Sequence, residues 1–191
     1  MFRRGPFRRR PLAPGAPQAR RARQSLGRAH QMMETSNYAG AADIYERLAK
    51  GAETRSMPLR AAHLFLQAGR ARLYASQFEP GIPLVLRGLN MLAQLQRWPA
   101  LYKNGQMAVS ELQRLDQKQA ADELQAWLDT TLDSHPEAKI APAGSAGQVH
   151  PPNLPVKCPN CGGSIRPNEI EWLDPHTAEC SYCESPVQSE E

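Results

Sequence analysis

The sequence predicts a mainly α protein of antiparallel helical hairpins stacked as an α-solenoid, with a small β module at its C-terminal end. Three observations point there. Apolar residues recur at three- and four-residue spacing through the middle of the chain. A turn motif with an aromatic residue returns after forty residues. All four cysteines fall in the last 34 residues, as two C-x-x-C pairs.

Composition divides the 191 residues into four parts. Residues 1–18 mix arginine with Pro6, Pro11, Pro14 and Pro17. Proline at that density blocks helix and strand, and like charges repel, so a disordered arm is expected. Residues 19–134 form the helical domain. Residues 135–156 carry Pro136, Pro142, Pro151, Pro152 and Pro155 among Ala, Gly and Ser, as a linker does. Residues 157–191 hold the cysteines.

Charge follows the same divisions. The net +4 conceals nine arginines and no acid in residues 1–28, leaving the remainder of the chain at −5. The segment from Cys158 to Glu191 carries seven acids against Arg166 alone. Between Ala29 and Lys139 twelve basic residues balance twelve acidic ones. No stretch of about 18 apolar residues occurs, so no membrane-spanning helix is expected. Arg8-Arg9-Arg10-Pro11 stands where a secretory leader needs its apolar run. The four early prolines also oppose the amphipathic helix of an organelle transit peptide. A cytoplasmic protein is the expectation.

The helical domain takes its elements from the apolar spacing. Leu59, Ala62, Leu66, Gly69 and Leu73 make one face, Leu84, Val85, Leu89, Leu92 and Leu95 the next, and Leu112, Leu115, Leu124, Trp127 and Leu128 follow. The predicted helices are 19–35, 38–50, 58–75, 79–97, 99–117 and 119–133. Valine and isoleucine are scarce, which argues against a sheet. Short breaks between the helices imply antiparallel neighbours.

Ser36-Asn37-Tyr38, with Ile44 and Arg47 behind it, returns as Ser76-Gln77-Phe78 with Leu84 and Arg87. One helical pair per forty residues is the pattern of an α-solenoid. Around the second copy, Ala68-Gly69 and Ala71 supply small residues on a first helix, Phe78 an aromatic at the turn, and Gly81-Ile82 the start of a second helix. In these positions the chain resembles a tetratricopeptide repeat. Pro80 and Pro83 depart from that pattern, and an irregular helical bundle is the alternative. The resemblance implies a concave face built from the first helix of each pair. On it Arg70, Lys103 and Asn104 are the candidate partner-binding residues, and an acidic or C-terminal carboxylate segment is the implied ligand.

The cysteines are Cys158, Cys161, Cys180 and Cys183. Two thiolates three positions apart in a tight turn grip one edge of a metal's coordination sphere, and two such turns complete a tetrahedron. Gly162-Gly163 gives the first turn the free backbone it needs, whereas Glu184 stands at the equivalent place in the second. Glu169-Ile170-Glu171-Trp172 and Thr177-Ala178-Glu179 are expected as short strands around an Asp174-Pro175-His176 turn. Ile165, Ile170 and Trp172 are the expected apolar patch beside the metal. The segment resembles a zinc ribbon of bacterial type, in the pattern C-P-x-C-G with a second C-x-x-C. One structural Zn2+ is the expected cofactor, because four thiolates leave no position open to substrate. Iron in a rubredoxin-like site is the rival, and disulfides are disfavoured without a secretion signal.

Catalytic machinery is not visible. There is no phosphate-binding glycine loop, no histidine–carboxylate metal pattern and no nucleophile elbow. His30 and His63 have no nucleophile at a useful spacing, and His176 is expected to be exposed in its turn. A non-enzymatic adaptor is therefore expected, with a protein or peptide partner. The alternative is a nucleic-acid-associated protein that binds through the arginines of residues 1–28. Those arginines equally suit an anionic membrane surface.

Overall fold

The computed structural model describes residues 16–136, 153–163, 165, 170–174, 176–180 and 185–189. Most of the expected arm and linker, and the fourth cysteine, Cys183, lie outside them.

Six helices follow one another: α1 (Ala16–Glu34), α2 (Tyr38–Glu53), α3 (Pro58–Tyr74), α4 (Phe78–Gln94), α5 (Trp98–Arg114) and α6 (Lys118–Leu132). Five begin within one residue of the expected position, whereas α1 begins at Ala16, inside the stretch 1–18 expected as a disordered arm, because Pro17 is tolerated in a first helical turn; α2 runs to Glu53, past the expected 50. Connections of three or four residues turn each helix back along its predecessor.

The turns share one construction. Ser36, Ser56, Ser76, Gln96 and Asp116 each adopt φ between 56° and 60°, at intervals of twenty residues. The following residue donates its N–H to a carbonyl five positions back, Asn37 to Met32 at 2.8 Å and Gln77 to Arg72 at 2.9 Å, for example. That bond and the left-handed residue before it make a Schellman ending. The same residue then caps the next helix, its carbonyl accepting from Ala41, Ala61, Gly81, Leu101 or Ala121. One helix plus one turn is thus a twenty-residue unit, and two units make the forty-residue repeat seen in the sequence. α4 and α5 end three residues before the expected 97 and 117 because Gln96 and Asp116 occupy the left-handed position usually marked by glycine. Pro83 is accommodated inside α4. There it lies near the start, four residues after the exposed Glu79, whose carbonyl receives no N–H from a proline.

α3 is the centre of the molecule, with no exposed residue from Leu59 to Tyr74. Glycines bring α3 and α4 together from both sides. A Cβ on Gly69 would stand 2.6 Å from Val85 Cγ2 and 2.8 Å from Val85 N. One on Gly88 would stand 2.9 Å from the Ala62 carbonyl. The small residues behind the tetratricopeptide resemblance are therefore sites of close helix approach.

Two apolar clusters fill the interior. One joins α3, α4, α5 and α6 through Leu73, Leu89, Leu101, Leu112 and Leu128. The other begins at Leu26, Ala29, Tyr45 and Phe65 of α1–α3 and continues without a break into the C-terminal module. That module is a three-stranded antiparallel sheet, β1 (Glu171–Asp174), β2 (Thr177–Glu179) and β3 (Pro186–Gln188), in the order β1-β2-β3. The two expected strands form, Trp172 opposite Ala178. β3 was not expected. It pairs Val187 with Ala178, and both side chains are buried.

Candidate metal centre

Cys158, Cys161 and Cys180 meet at the end of the sheet. All three are buried, and their sulfurs lie within 4.8 Å of one another. The Sγ atoms of Cys161 and Cys180 are 3.8 Å apart. Four sulfurs about 2.3 Å from a central zinc are separated by tetrahedral edges of about 3.8 Å. A disulfide would need about 2.05 Å, so this pair is not bonded.

Backbone geometry presents the thiols. The Cys158 N–H donates to the Gly163 carbonyl at 2.8 Å, and the Gly162 N–H donates back to the Cys158 carbonyl at 2.8 Å. Gly162 has φ of +74° with open space where a Cβ would stand, so the glycine serves the backbone conformation and not the packing. Cys180 repeats the first of these bonds, donating to the Ser185 carbonyl at 3.0 Å. Cys158–Gly163 and Cys180–Ser185 have the same five-residue offset. The Asn160 side chain donates to the Ser185 hydroxyl and ties one turn to the other. In the first turn the second thiol sits three positions after the first, and Cys183 has that place in the second.

Ile165 and Ile170 of the expected apolar patch are buried beside the cysteines, whereas the Trp172 side chain lies outside the described residues. Ala178, from an expected strand, and Val187, from the unexpected β3, complete the patch. His176 is exposed at the β1–β2 turn, and its carbonyl accepts from the Ser189 N–H at 2.8 Å.

The cysteine module is seated on the helices. The Cys161 carbonyl is 3.7 Å from the position a Gly27 Cβ would take, so α1 and the first cysteine turn touch through backbone. Lys157 Nζ pairs with Glu34 Oε1 of α1 at 3.1 Å. Leu154, from the end of the expected linker, packs into the shared cluster. Lys103 Nζ of α5 donates to the Ile170 carbonyl at 3.3 Å.

Comparison with protein-family models, with curated proteins and with solved structures gives no match.

The three residues proposed for partner binding are engaged within the molecule. Lys103 holds the cysteine module, as above. Asn104 donates to the Ala100 carbonyl of its own helix at 2.8 Å. Arg70 makes a forked pair with Glu111, Nη2 to Oε1 at 2.7 Å and Nε to Oε2 at 3.2 Å. The Tyr74 hydroxyl donates to the same carboxylate at 2.6 Å. Glu111 is 8% exposed and joins α3 to α5, helices that are not neighbours in sequence. A lone acid on a helix reads as solvated, and only the distant Arg70 reveals its task. Arg72 does the like for α2. Burial works against its charge, yet hydrogen bonds and proximity to Glu46 and Asp43 raise its pKa above the ordinary arginine value.

Arg70→Ala leaves the buried Glu111 carboxylate short of its charged partner, so we expect a loss of about 2 kcal/mol in urea denaturation. A residue serving only an external ligand would leave the midpoint unchanged.

Proposed function

We propose that the chain is a non-enzymatic protein-interaction adaptor, a helical-repeat scaffold to which a zinc ribbon is clamped by one structural Zn2+. The ligands are Cys158, Cys161, Cys180 and Cys183. The observation that carries this reading is the burial of the thiol cluster in an apolar core continuous with α1–α3. A metal held there by four thiolates offers no position to a substrate or water, and its work is to hold two pieces of chain together. The matching backbone bonds at Cys158 and Cys180, with Cys183 three positions after Cys180, support Cys183 as the fourth ligand. Zinc suits a redox-inert tetrahedral thiolate site better than metals that prefer oxygen or imidazole.

The repeating turns and the close approach at Gly69 support a tetratricopeptide-like α-solenoid. The unit here is forty residues, against 34 in that family, because each helix is longer. With Arg70, Lys103 and Asn104 engaged internally, the open groove between α4 and α6 is the better seat for a partner. Ile82, Leu86, Ala120, Leu124 and Trp127 line a cavity of about 160 Å3 there, with Glu123 at its rim. An apolar side chain on a basic segment fits that lining.

Metal analysis and partner capture on the same purified protein test the proposal. We expect one zinc per chain, and partners that are retained by Arg70→Ala and lost with Leu86→Arg. Absence of zinc, or capture indifferent to Leu86→Arg and lost with Arg70→Ala, contradicts it.

A further inference from the structure

We infer that the outer face of α1 is a docking surface for the phosphate backbone of duplex nucleic acid. The adaptor reading is not needed for this and does not imply it.

Arg20, Arg21, Arg23 and Arg28 are all exposed on α1. At about 100° per residue they occupy an arc of roughly 160° on one side of the helix. Leu26, Ala29 and His30 lie on the other side and are buried. The helix is therefore fixed in rotation, and its arginines face outward as a rigid array about 12 Å long. None of the four has a hydrogen bond or ion pair among the described residues, unlike Arg70, Arg72 and Arg87, each of which holds a carboxylate. No acidic residue precedes Glu34 on the helix, and Glu34 itself is paired with Lys157. Beside a helical body whose charges balance from Ala29 to Lys139, four guanidinium groups with no partner among the described residues form an anion-binding surface. Guanidinium forks match phosphate oxygens in two-point contacts.

A membrane surface is the competing polyanion, and the geometry disfavours it. A helix lying in a bilayer interface must sink its apolar face, and that face of α1 is already covered by α2 and the cysteine module. The exposed side of α1 has no aromatic residue on which unpaired bases would stack, which favours a duplex over a single strand. The acidic C-terminal module borders this face: its first cysteine turn touches α1 at Gly27, between Arg23 and Arg20 around the helix.

Fluorescence anisotropy with full-length protein and a labelled 20-base-pair duplex of arbitrary sequence, across a salt series, tests the surface. Binding is expected at low salt, with log affinity falling linearly in log salt. Replacing Arg20, Arg21, Arg23 and Arg28 together by Gln is expected to flatten the slope by about 3.6 and to weaken binding at least tenfold at low salt. Circular dichroism of that variant checks the fold, and the smaller Arg21→Gln/Arg28→Gln pair, expected to flatten the slope by about 1.8, stands in if the fourfold variant loses helix. No binding to the duplex at low salt overturns the inference. So does duplex binding that the α1 variants leave unchanged, which would assign it to residues 1–15 alone. Binding to phosphatidylserine vesicles in place of duplex overturns it too.

Discussion

Stripping the metal with a chelator is expected to unfold the sheet and to loosen the helical body with it. Structural zinc in small thiolate modules supplies about 10–16 kcal/mol of apparent binding free energy, and without it such modules do not fold. Here the consequence extends further. Ile165, Ile170, Ala178 and Val187 share one core with Leu26, Ala29, Leu64 and Phe65. When the module leaves, apolar surface on α1 and α3 meets water, and the contacts from Lys103 and Lys157 go too. A loss of about 2 kcal/mol in the helical body corresponds to a Tm lower by about 10 °C. Cys180→Ser is expected to reproduce the effect and, unlike the chelated wild type, not to recover when zinc is returned. Hydrogen exchange reads this directly. Amides of the sheet and of α1 should lose protection together. An α1 that keeps full protection while the sheet exchanges freely would show that the two parts are energetically independent.

Gly69→Val is expected to destabilise the helical body by about 3 kcal/mol, at the upper end of the usual range for overpacking a core. Two of the nearest atoms to the new Cβ are backbone, the Val85 nitrogen at 2.8 Å and the Gly81 carbonyl oxygen at 3.0 Å. Side chains can turn aside, but backbone can yield only by moving α3 away from α4. Better helix propensity than glycine returns about half a kcal/mol, too little to reverse the sign. The variant should unfold at a lower urea midpoint while keeping its metal. If the midpoint is unchanged, α3 and α4 are not in contact at Gly69.

The sequence was most legible where one period governs many residues. Six helices could be read from Leu59, Leu66, Leu84, Leu112 and their companions because each apolar face repeats every three or four positions. Their ends were less legible. Ser36, Gln96 and Asp116 hold a backbone conformation that glycine usually announces, and nothing in a serine, glutamine or aspartate declares it. The cysteine cluster was legible because two C-x-x-C pairs are the spacing that gathers thiols at one point, and Cys158, Cys161 and Cys180 do meet. β3 was not, since three residues around a single Val187 carry no alternation to detect. Long-range pairing was the least visible. Arg70 reads as a binding residue from the sequence, and its pairing with Glu111, 41 positions away, has no signal there. Lys103 reads the same way, and its partner is a carbonyl of the same chain.

Zinc K-edge X-ray absorption of the full-length protein tests the central claim most directly, because it counts the ligands around the metal and names their element. Four sulfur neighbours at about 2.3 Å are predicted, the shell made by Cys158, Cys161, Cys180 and Cys183. A shell of three sulfurs with one oxygen or nitrogen, or protein that carries no zinc, would contradict it.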